Sequence, residues 1–319
     1  MEAAAADKRS EGMRWIPGGE FRMGSDRFYP EESPVRPVEV DGFWMDEGPV
    51  TVAEFERFVD RTGHVTLAEH PPSAEEYPDA DPALLVAGSL VFQRSRGPVD
   101  LRNVANWWAY VPGASWRHPE GPGSGTDGRE HHPVTHVAYA DAEAYAAWAG
   151  KELPTEAEWE RAARGGLDGA IFAWGDAEFP EGRAMANTWQ GEFPWQNLLQ
   201  DGHEGTSPVG TFPANGYGLL DVTGNVWEWT CDYFSWQRPG TTRRPCCVPR
   251  NPRVTEPDMS YDTGNPGAHI PRRVIKGGSH LCAPNYCLRY RPSARQAEAV
   301  DTSTCHIGFR CIVRPAPGG

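Results

Sequence analysis

The stretch NGYGLLDVTGNVWEW, residues 215–229, joins asparagine, aspartate and glycine, which favour turns, to two tryptophans. The whole chain repeats this combination. Its 319 residues include 35 glycines, 30 prolines and 13 tryptophans, and its mean hydropathy is −0.59. Disordered chains lack aromatic residues. We therefore expect a folded protein whose core consists of aromatic side chains packed beneath long loops.

Two segments, TVAEFERFVDRTG (51–63) and PTEAEWERAARGG (154–166), carry helix signals at both ends. Each has a threonine that a glutamate follows three positions later, the spacing of a capping box, and each ends at glycine. A third helix is expected at YADAEAYAAWAGK (139–151). Elsewhere the pattern predicts short strands, such as WIPGGEFRMGS (15–25) with a turn inside it, and long loops, such as residues 237–273.

Charge and apolar content argue against two classes of partner. The net charge of −14 argues against nucleic acid, because phosphate binding needs a basic face. No apolar run reaches the roughly 18 residues that a membrane span needs. The start of the sequence, MEAAAADKRSEGMRW, lacks an apolar signal segment, and the seven cysteines, an odd number, fit a reducing compartment. We therefore expect a cytoplasmic protein with free thiols.

Cys282 and Cys287 lie five positions apart in KGGSHLCAPNYCLRYRPSAR (276–295). In an α-helix this step rotates by about 140°, so the thiols would face apart, and Pro284 also argues against a helix. The two thiols meet only if the segment is a loop or a turn. Their spacing matches neither a C-x-x-C redox centre nor a zinc finger. Three interpretations stay open: two unrelated buried cysteines, a disulfide, or a two-thiolate site for a soft ion such as Cu(I).

Four stretches, LPTEAEWERAARGG, NGYGLLDVTGNVWEW, IKGGSHLCAPNYCLRYRPSAR and HIGFRC, resemble in this order the formylglycine-generating enzymes, the sulfatase-modifying oxidases. The first two and GFRC are shared by a wider superfamily, whereas the cysteine pair in its context is specific to the enzymes. The resemblance implies an α+β, C-type-lectin-like fold with little regular secondary structure and long loops. It implies a single domain over residues 13–313, between a disordered start (1–12) and a short tail (314–319).

The resemblance also implies an activity. A copper-dependent oxidase of this family converts the cysteine of a Cys-x-Pro-x-Arg motif in an unfolded sulfatase to Cα-formylglycine, with O₂ as the oxidant. Dioxygen reacts sluggishly with thiols, so a one-electron metal is needed. Cu(I) held by Cys282 and Cys287 could take the substrate thiolate as a third ligand.

Further site residues follow from the same resemblance. Ser279 is implied to line the oxygen pocket, with Tyr286 and Trp227 as its aromatic walls. Arg295 and His306 are assigned to substrate binding. His306 stands where many relatives carry asparagine near the substrate groove, so a hydrogen bond in the pocket is expected to be made differently here.

Two sets of oxygen donors are implied to bind structural calcium. Calcium takes six to eight hard oxygen ligands, which loops supply as a mixture of side chains and backbone carbonyls. The first set is the side chains of Asn187 and Asp201 with the carbonyls of Thr188 and His203; the second is the side chains of Asp221 and Glu228 with the carbonyls of Gly224 and Val226.

A non-catalytic binding module of the same fold is the alternative function, and the cysteine pair discriminates against it. An iron-dependent sulfoxide synthase is excluded, because the chain has no His-x-x-x-His-x-Glu motif. Cys311 matches a disulfide cysteine of the eukaryotic enzymes, but the partner region carries alanines, so no structural disulfide is expected. Cys246 and Cys247 are adjacent and could bind a metal, although such pairs in loops more often have no function. No role is predicted for Cys231 and Cys305.

Overall fold

The computed structural model describes residues 11–75, 77, 81–237, 248–264 and 269–316. Its strands are short and lie between long irregular segments. They are β1 (Met13–Ile16), β2 (Gly19–Met23), β3 (Arg36–Val40), β4 (Phe43–Asp46), β5 (Gly88–Phe92), β6 (Trp108–Pro112), β7 (Trp227–Tyr233), β8 (Arg272–Lys276), β9 (Gln296–Ala299), β10 (Ile307–Gly308) and β11 (Ile312–Val313).

The strands form two sheets and two ribbons. One sheet has the order β1-β4-β11, so β4 pairs with strands from both ends of the chain. The other has the order β10-β7-β8-β9, in which β10 runs parallel to β7 and the other pairs are antiparallel. Strands β2 and β3, and strands β5 and β6, form antiparallel ribbons.

The three expected helices are confirmed as α1 (Val52–Thr62), α2 (Tyr139–Trp148) and α3 (Glu156–Ala163). Thr51 caps α1 in a capping box with Glu54, and Gly63 ends the helix with a left-handed φ of 71°. Helix α3 begins with the predicted capping box as well. Single turns of 3₁₀ helix occur at Pro30–Glu32, Leu67–Glu69, Pro82–Leu84, Val104–Asn106, Pro180–Gly182 and Pro257–Ser260.

Large aromatic side chains fill the interior, as the composition predicts. Trp107, Trp116, Trp159, Trp189 and Trp229 are all at most 2% exposed. Helix α3 contacts β2, β3, β7 and β8, and therefore lies between one ribbon and the second sheet. The expected α+β fold with little regular secondary structure is confirmed.

Two further expectations concern the loops and the membrane. The strand expected over residues 15–25 is two strands, β1 and β2, separated by residues 17 and 18. Of the expected loop at 237–273, the described part holds a 3₁₀ turn and the start of β8, while Cys246 and Cys247 lie outside the described residues. No helix in the described ranges is long and apolar enough to cross a membrane.

Candidate functional site

The candidate site lies on the loop that follows β8. This loop leaves the sheet through Gly277 (φ 94°) and Gly278 (φ 69°), a conformation that disfavours residues with a Cβ. A Cβ on Gly278 would lie 2.8 Å from the backbone nitrogen of Tyr290. The two glycines therefore let the chain turn sharply while it stays packed against its own return segment.

Cys282 and Cys287 meet in a turn, the condition that their spacing imposes. The Cys282 N–H donates to the carbonyl of Ser279 (2.9 Å), and the Cys287 N–H donates to that of Ala283 (2.7 Å). These turns bring the two Sγ atoms to 3.0 Å, where one thiol donates a hydrogen bond to the other. Both side chains are buried and their sulfurs are in contact, so the pair is not two unrelated cysteines.

The two thiols differ in acidity. Burial raises the pKa of Cys282 well above that of an ordinary thiol. The hydrogen bond from Cys282, together with the positive charge of Arg289, lowers the pKa of Cys287. The Nη1 atom of Arg289 lies 4.0 Å from the Cys287 sulfur. Ionisation of Cys287 is therefore favoured over ionisation of Cys282.

Residues from the N-terminal part of the chain hold Arg289 in place. Its guanidinium pairs with Glu31 at 2.7 Å and lies 3.8 Å from the centre of the Tyr29 ring. The Tyr29 hydroxyl accepts a hydrogen bond from the N–H of Leu288 (3.0 Å). Sequence reasoning missed Tyr29 and Glu31, because nothing in FYPEE (28–32) links that segment to the cysteines. Arg289 could have been found from its position two residues after Cys287.

Aromatic rings form one wall beside the cysteine loop. Tyr286 stacks on Phe193, with ring centroids 4.6 Å apart and planes at 8°. Trp107 contacts both rings edge-on. Trp227 lies in the same buried cluster as Cys282 and Cys287. Sequence reasoning missed Phe193 and Trp107 as members of this wall.

Ser279 and His306 both lie close to this region. The backbone N–H of Ser279 donates to the Cys282 sulfur (3.4 Å), and its side chain is fully buried. The His306 carbonyl accepts from the N–H of Trp227 (2.8 Å), and its ring meets Trp108 edge-on. Burial lowers the pKa of His306 to about 3, so the ring is neutral at physiological pH. Its Nδ1 has no partner among the described residues.

Arg295 does not fit its expected role in substrate binding. Its side chain is fully buried and makes a two-pronged ion pair with Glu156 at the start of α3. It also donates to the carbonyl of Ser235 (3.1 Å). A buried guanidinium that lost its carboxylate would be strongly destabilising. The assignment to substrate binding is therefore corrected to a structural role.

The first proposed calcium set is gathered around Asp201. Burial raises the pKa of this carboxyl group, although hydrogen bonds from the backbone of His203 and Thr188 act to lower it. The Oδ2 atom is buried and has no partner in the described structure. Asn187 is buried, and its amide donates to the carbonyl of Gly205 (2.9 Å). The unpaired, buried carboxylate oxygen of Asp201 is a hard donor of the kind that calcium takes.

The second proposed calcium set fits at Asp221 and differs from the expectation at Glu228. The Oδ1 atom of Asp221 is buried without a described partner, and burial raises the pKa of this group to about 6. Both oxygens of Glu228 already accept hydrogen bonds, two-pronged from Arg310 and at 2.7 Å from the indole of Trp159. Gly224 (φ 77°) and Val226 lie between these two acids in the sequence. Glu228 was expected to bind calcium through its negative charge, but Arg310 already neutralises that charge.

No three histidine, cysteine, aspartate or glutamate side chains of the described chain come together as a metal-binding group. The candidate donor sets depend instead on two thiols, or on two side chains together with backbone carbonyls. The thiol pair fits a soft ion by donor type.

Comparison with known proteins gives consistent matches along the whole chain. The sequence profile of the sulfatase-modifying factor enzyme 1-like domain matches residues 1–315. The formylglycine-generating enzyme of Mycobacterium tuberculosis is 53% identical over 305 residues, which cover 95% of this chain and 98% of that protein. The enzyme of the same name from Thermomonospora curvata is 45% identical, with 96% and 94% covered. Among solved structures, PvdO from Pseudomonas aeruginosa has a TM-score of 0.62 at 25% identity and covers 95% of this chain and 94% of its own.

Proposed function

Because the chain belongs to the sulfatase-modifying factor family, we propose that it is a copper-dependent oxidase that matures sulfatases. Its substrate would be the cysteine of a Cys-x-Pro-x-Arg motif in an unfolded sulfatase, and its product Cα-formylglycine. The observation that carries this proposal is the buried pair of free thiols, Cys282 and Cys287, with sulfurs 3.0 Å apart. A non-catalytic member of the fold would not need two thiols of different acidity in contact.

The reaction is balanced by a second electron donor. Dioxygen takes up four electrons, two from the substrate cysteine and two from an external thiol reductant that becomes a disulfide. The substrate sulfur leaves as hydrogen sulfide, and the two oxygen atoms appear, in the net equation, in the aldehyde and in one water molecule. The chain thus needs two small substrates, O₂ and a thiol, besides the polypeptide.

Cys282 and Cys287 would hold the copper ion, since thiolates are preferred ligands of Cu(I). When bound, copper would supply the one-electron chemistry through which O₂ reacts. Arg289 stabilises the anionic form of Cys287 and so favours the ligating form. Tyr286 and Trp227 would keep water from the cysteine loop, and Ser279 would line the space beside Cys282.

His306 would contribute to substrate binding through its ring. Its ring is neutral and lies against Trp108, and its backbone bonds Trp227 of the cysteine cluster, which supports contact with an uncharged part of the polypeptide. Calcium would hold the loops around Asp201 and Asp221, where buried carboxylate oxygens have no described partner. The free thiols of the described cysteines support a cytoplasmic setting.

Mass spectrometry of a Cys-x-Pro-x-Arg peptide tests the proposal. The full chain, with copper, O₂ and a thiol reductant, should convert the peptide to the aldehyde, which a hydrazide captures. Cys282→Ser and Cys287→Ser should each lose copper binding and activity, because a hydroxyl oxygen is a poor ligand for Cu(I). The matched control is Cys231→Ser, a half-buried thiol outside the site, which should keep the wild-type rate.

Three results would contradict the proposal. Wild-type rates in either single cysteine variant would remove the two-thiolate site. X-ray absorption that reports nitrogen ligands would remove the assigned donors. Tight binding of the peptide without any conversion would favour the non-catalytic binding module.

A further inference from the structure

Three aromatic rings stack in a row that begins beside the cysteine loop. Tyr290 is 2% exposed and belongs to the same buried cluster as Cys282 and Cys287. Its ring stacks on Phe172, with centroids 6.0 Å apart and planes at 16°. Phe172 stacks in turn on Trp174, at 5.1 Å and 6°. The row therefore links the surroundings of the buried thiols to a half-buried tryptophan.

One short loop supplies both the end of this row and a proton acceptor. The Phe172 N–H donates to the carbonyl of Gly175 (2.8 Å), and the indole N–H of Trp174 donates to the carbonyl of Ala177 (2.8 Å). The next residue, Glu178, accepts a hydrogen bond from the Tyr290 hydroxyl. A phenol that loses an electron becomes a strong acid, and a carboxylate within hydrogen-bond reach can take its proton. Tyr290 can therefore be oxidised without leaving an uncompensated positive charge in the interior.

Aromatic stacking by itself is ordinary core packing, so the other buried tyrosines of the cluster serve as a comparison. Tyr145 stacks on Phe55 with the same separation and angle, 6.0 Å and 16°. The Tyr139 hydroxyl donates to Glu143 (3.2 Å), but its ring meets Trp229 edge-on. Of the three buried tyrosines that the cluster contains in the described ranges, Tyr290 alone combines a stacked row with a carboxylate at its hydroxyl.

The chemistry proposed for the cysteine loop creates a need for such a row. Dioxygen that reacts there in the absence of a polypeptide leaves an oxidant beside Cys282 and Cys287. Thiolates exposed to an oxidant proceed to sulfinic and sulfonic acids, and the sulfonic acid is not reduced back. A supply of electrons from elsewhere in the protein would consume the oxidant before it damages the thiols.

We propose that Tyr290, Phe172 and Trp174, here called the aromatic row, carry electrons from an external thiol at the protein surface to the cysteine loop when O₂ reacts there without its polypeptide substrate. This inference rests on the proposed function, because it takes the oxidant from the same reaction. Tyr290 and Trp174 change oxidation state, whereas Phe172, whose ring is much harder to oxidise, fills the space between them. The row adds a protective thiol oxidase activity to the chain.

The steps balance as single-electron transfers. Tyr290 gives an electron towards the cysteine loop and its hydroxyl proton to Glu178. Trp174 then reduces the tyrosyl radical, which takes its proton back from Glu178. The external thiol gives an electron to the Trp174 radical cation and its proton to water. Four such passages, with four protons taken up, reduce one O₂ to two water molecules, and the four thiyl radicals combine into two disulfides.

Mapping of oxidised residues tests the row without any peptide turnover. The full chain is loaded with copper and incubated with O₂ and a thiol but no peptide, and mass spectrometry of a digest locates the oxidised side chains. In the wild type, oxidation should concentrate at Trp174. In Tyr290→Phe it should shift to Cys282 and Cys287, as sulfinic and sulfonic acids that form several-fold faster than in the wild type.

A second variant keeps the buried ring and its hydrogen bond. Glu178→Gln still accepts a hydrogen bond from Tyr290 but cannot take its proton, so it should shift oxidation to the cysteines in the same way. The matched control is Tyr139→Phe, which also removes a buried hydroxyl that donates to a carboxylate and should keep the wild-type pattern.

Two further readouts exclude oxidation from solution. Trp236 is 62% exposed and Trp148 43%, so an oxidant in the solvent would mark these tryptophans ahead of the half-buried Trp174. Electron paramagnetic resonance of freeze-quenched samples should detect a tyrosyl radical that lives longer in Trp174→Phe than in the wild type. The signal should be missing from Tyr290→Phe.

The outcomes separate this inference from the proposed function. Conversion of a peptide by the wild-type chain tests the activity alone. Oxidation at Trp174 that depends on Tyr290, without any conversion of peptide, would support the row and contradict the proposed function. The same oxidation map in the wild type and Tyr290→Phe, or oxidation of Trp236 ahead of Trp174, would overturn the aromatic row.

Discussion

Glu228 and Arg310 form a two-pronged ion pair in the interior, with side chains 1% and 0% exposed and the Nη2 of Arg310 2.7 Å from Oε1 of Glu228. Arg310 also donates to the carbonyls of Leu220 (2.9 Å) and Asp221 (3.1 Å). One guanidinium from the last part of the chain therefore fixes both the start of β7 and the loop before it. Asp221, a member of the second proposed calcium set, lies on this loop, so its position depends on Arg310.

Arg310→Met should destabilise the fold by about 3–5 kcal/mol, because it leaves Glu228 charged, buried and without its cation. Chemical denaturation measures this change. The matched control is Arg14→Met, which breaks an exposed pair with Glu47 and should cost less than about 1 kcal/mol. Similar losses of unfolding free energy in both variants would show that the buried pair contributes no more to stability than the exposed pair.

Removal of calcium should lower the melting temperature. A ligand bound only by the folded state, present at about 100 times its Kd, adds about 2.7 kcal/mol of stability. Thermal melts of the wild-type chain with calcium and with EDTA measure the difference. Asp201→Ala and Asp221→Ala should each reduce it, whereas Asp100→Ala, at an exposed position, should not. An identical midpoint with and without EDTA would contradict the calcium proposal.

Arg289→Met should raise the pKa of Cys287, because the variant lacks the positive charge that helps to keep this pKa below its ordinary value. In the metal-free, reduced protein, alkylation of Cys287 should then require a higher pH. Mass spectrometry after timed alkylation locates the modified thiol. Arg289→Lys keeps the charge and should shift the profile less; a profile unchanged in Arg289→Met would exclude this electrostatic role.

Asp232 should make the protein less stable as the pH rises from 5 to 7. Burial raises the pKa of this carboxyl group from 3.8 to about 6. A pKa that is higher in the folded state favours the protonated form, so the contribution of this group to stability falls as the pH rises through 6. From the two pKa values the fall is about 1 kcal/mol between pH 5 and 7. Urea unfolding at several pH values should show that the free energy of unfolding of Asp232→Asn falls less steeply with pH than that of the wild type. An equal dependence on pH would refute the pKa shift.

The local parts of the fold were predictable from the sequence. Thr51, Glu54 and Gly63 act within one helix, so their spacing alone located α1. The turn at the cysteine pair followed in the same way from the five-residue step and Pro284. In both cases the determining contacts lie between residues that are close in sequence.

The parts that could not be predicted depend on contacts between distant segments. Arg289 contacts both Tyr29 and Glu31, and 258 positions in the sequence separate it from Glu31. The burial of Arg295 depends on Glu156, at 139 residues of separation. No local spacing marks such partners, and an arginine near a predicted site looks the same in sequence whether it faces a substrate or a buried glutamate.

The pairing of β4 with both β1 and β11 also sets an order for biosynthesis. On the ribosome β4 emerges early and can pair with β1 at once, but its other edge stays open until the last strand has been made. An open edge invites pairing with another chain. Truncation before β11 would leave this edge exposed for the lifetime of the protein and would release the segment that carries Arg310. Conversely, since the two ends of the described fold flank one strand, a short peptide could join them and allow new ends to be opened in a surface loop, as a circular permutant.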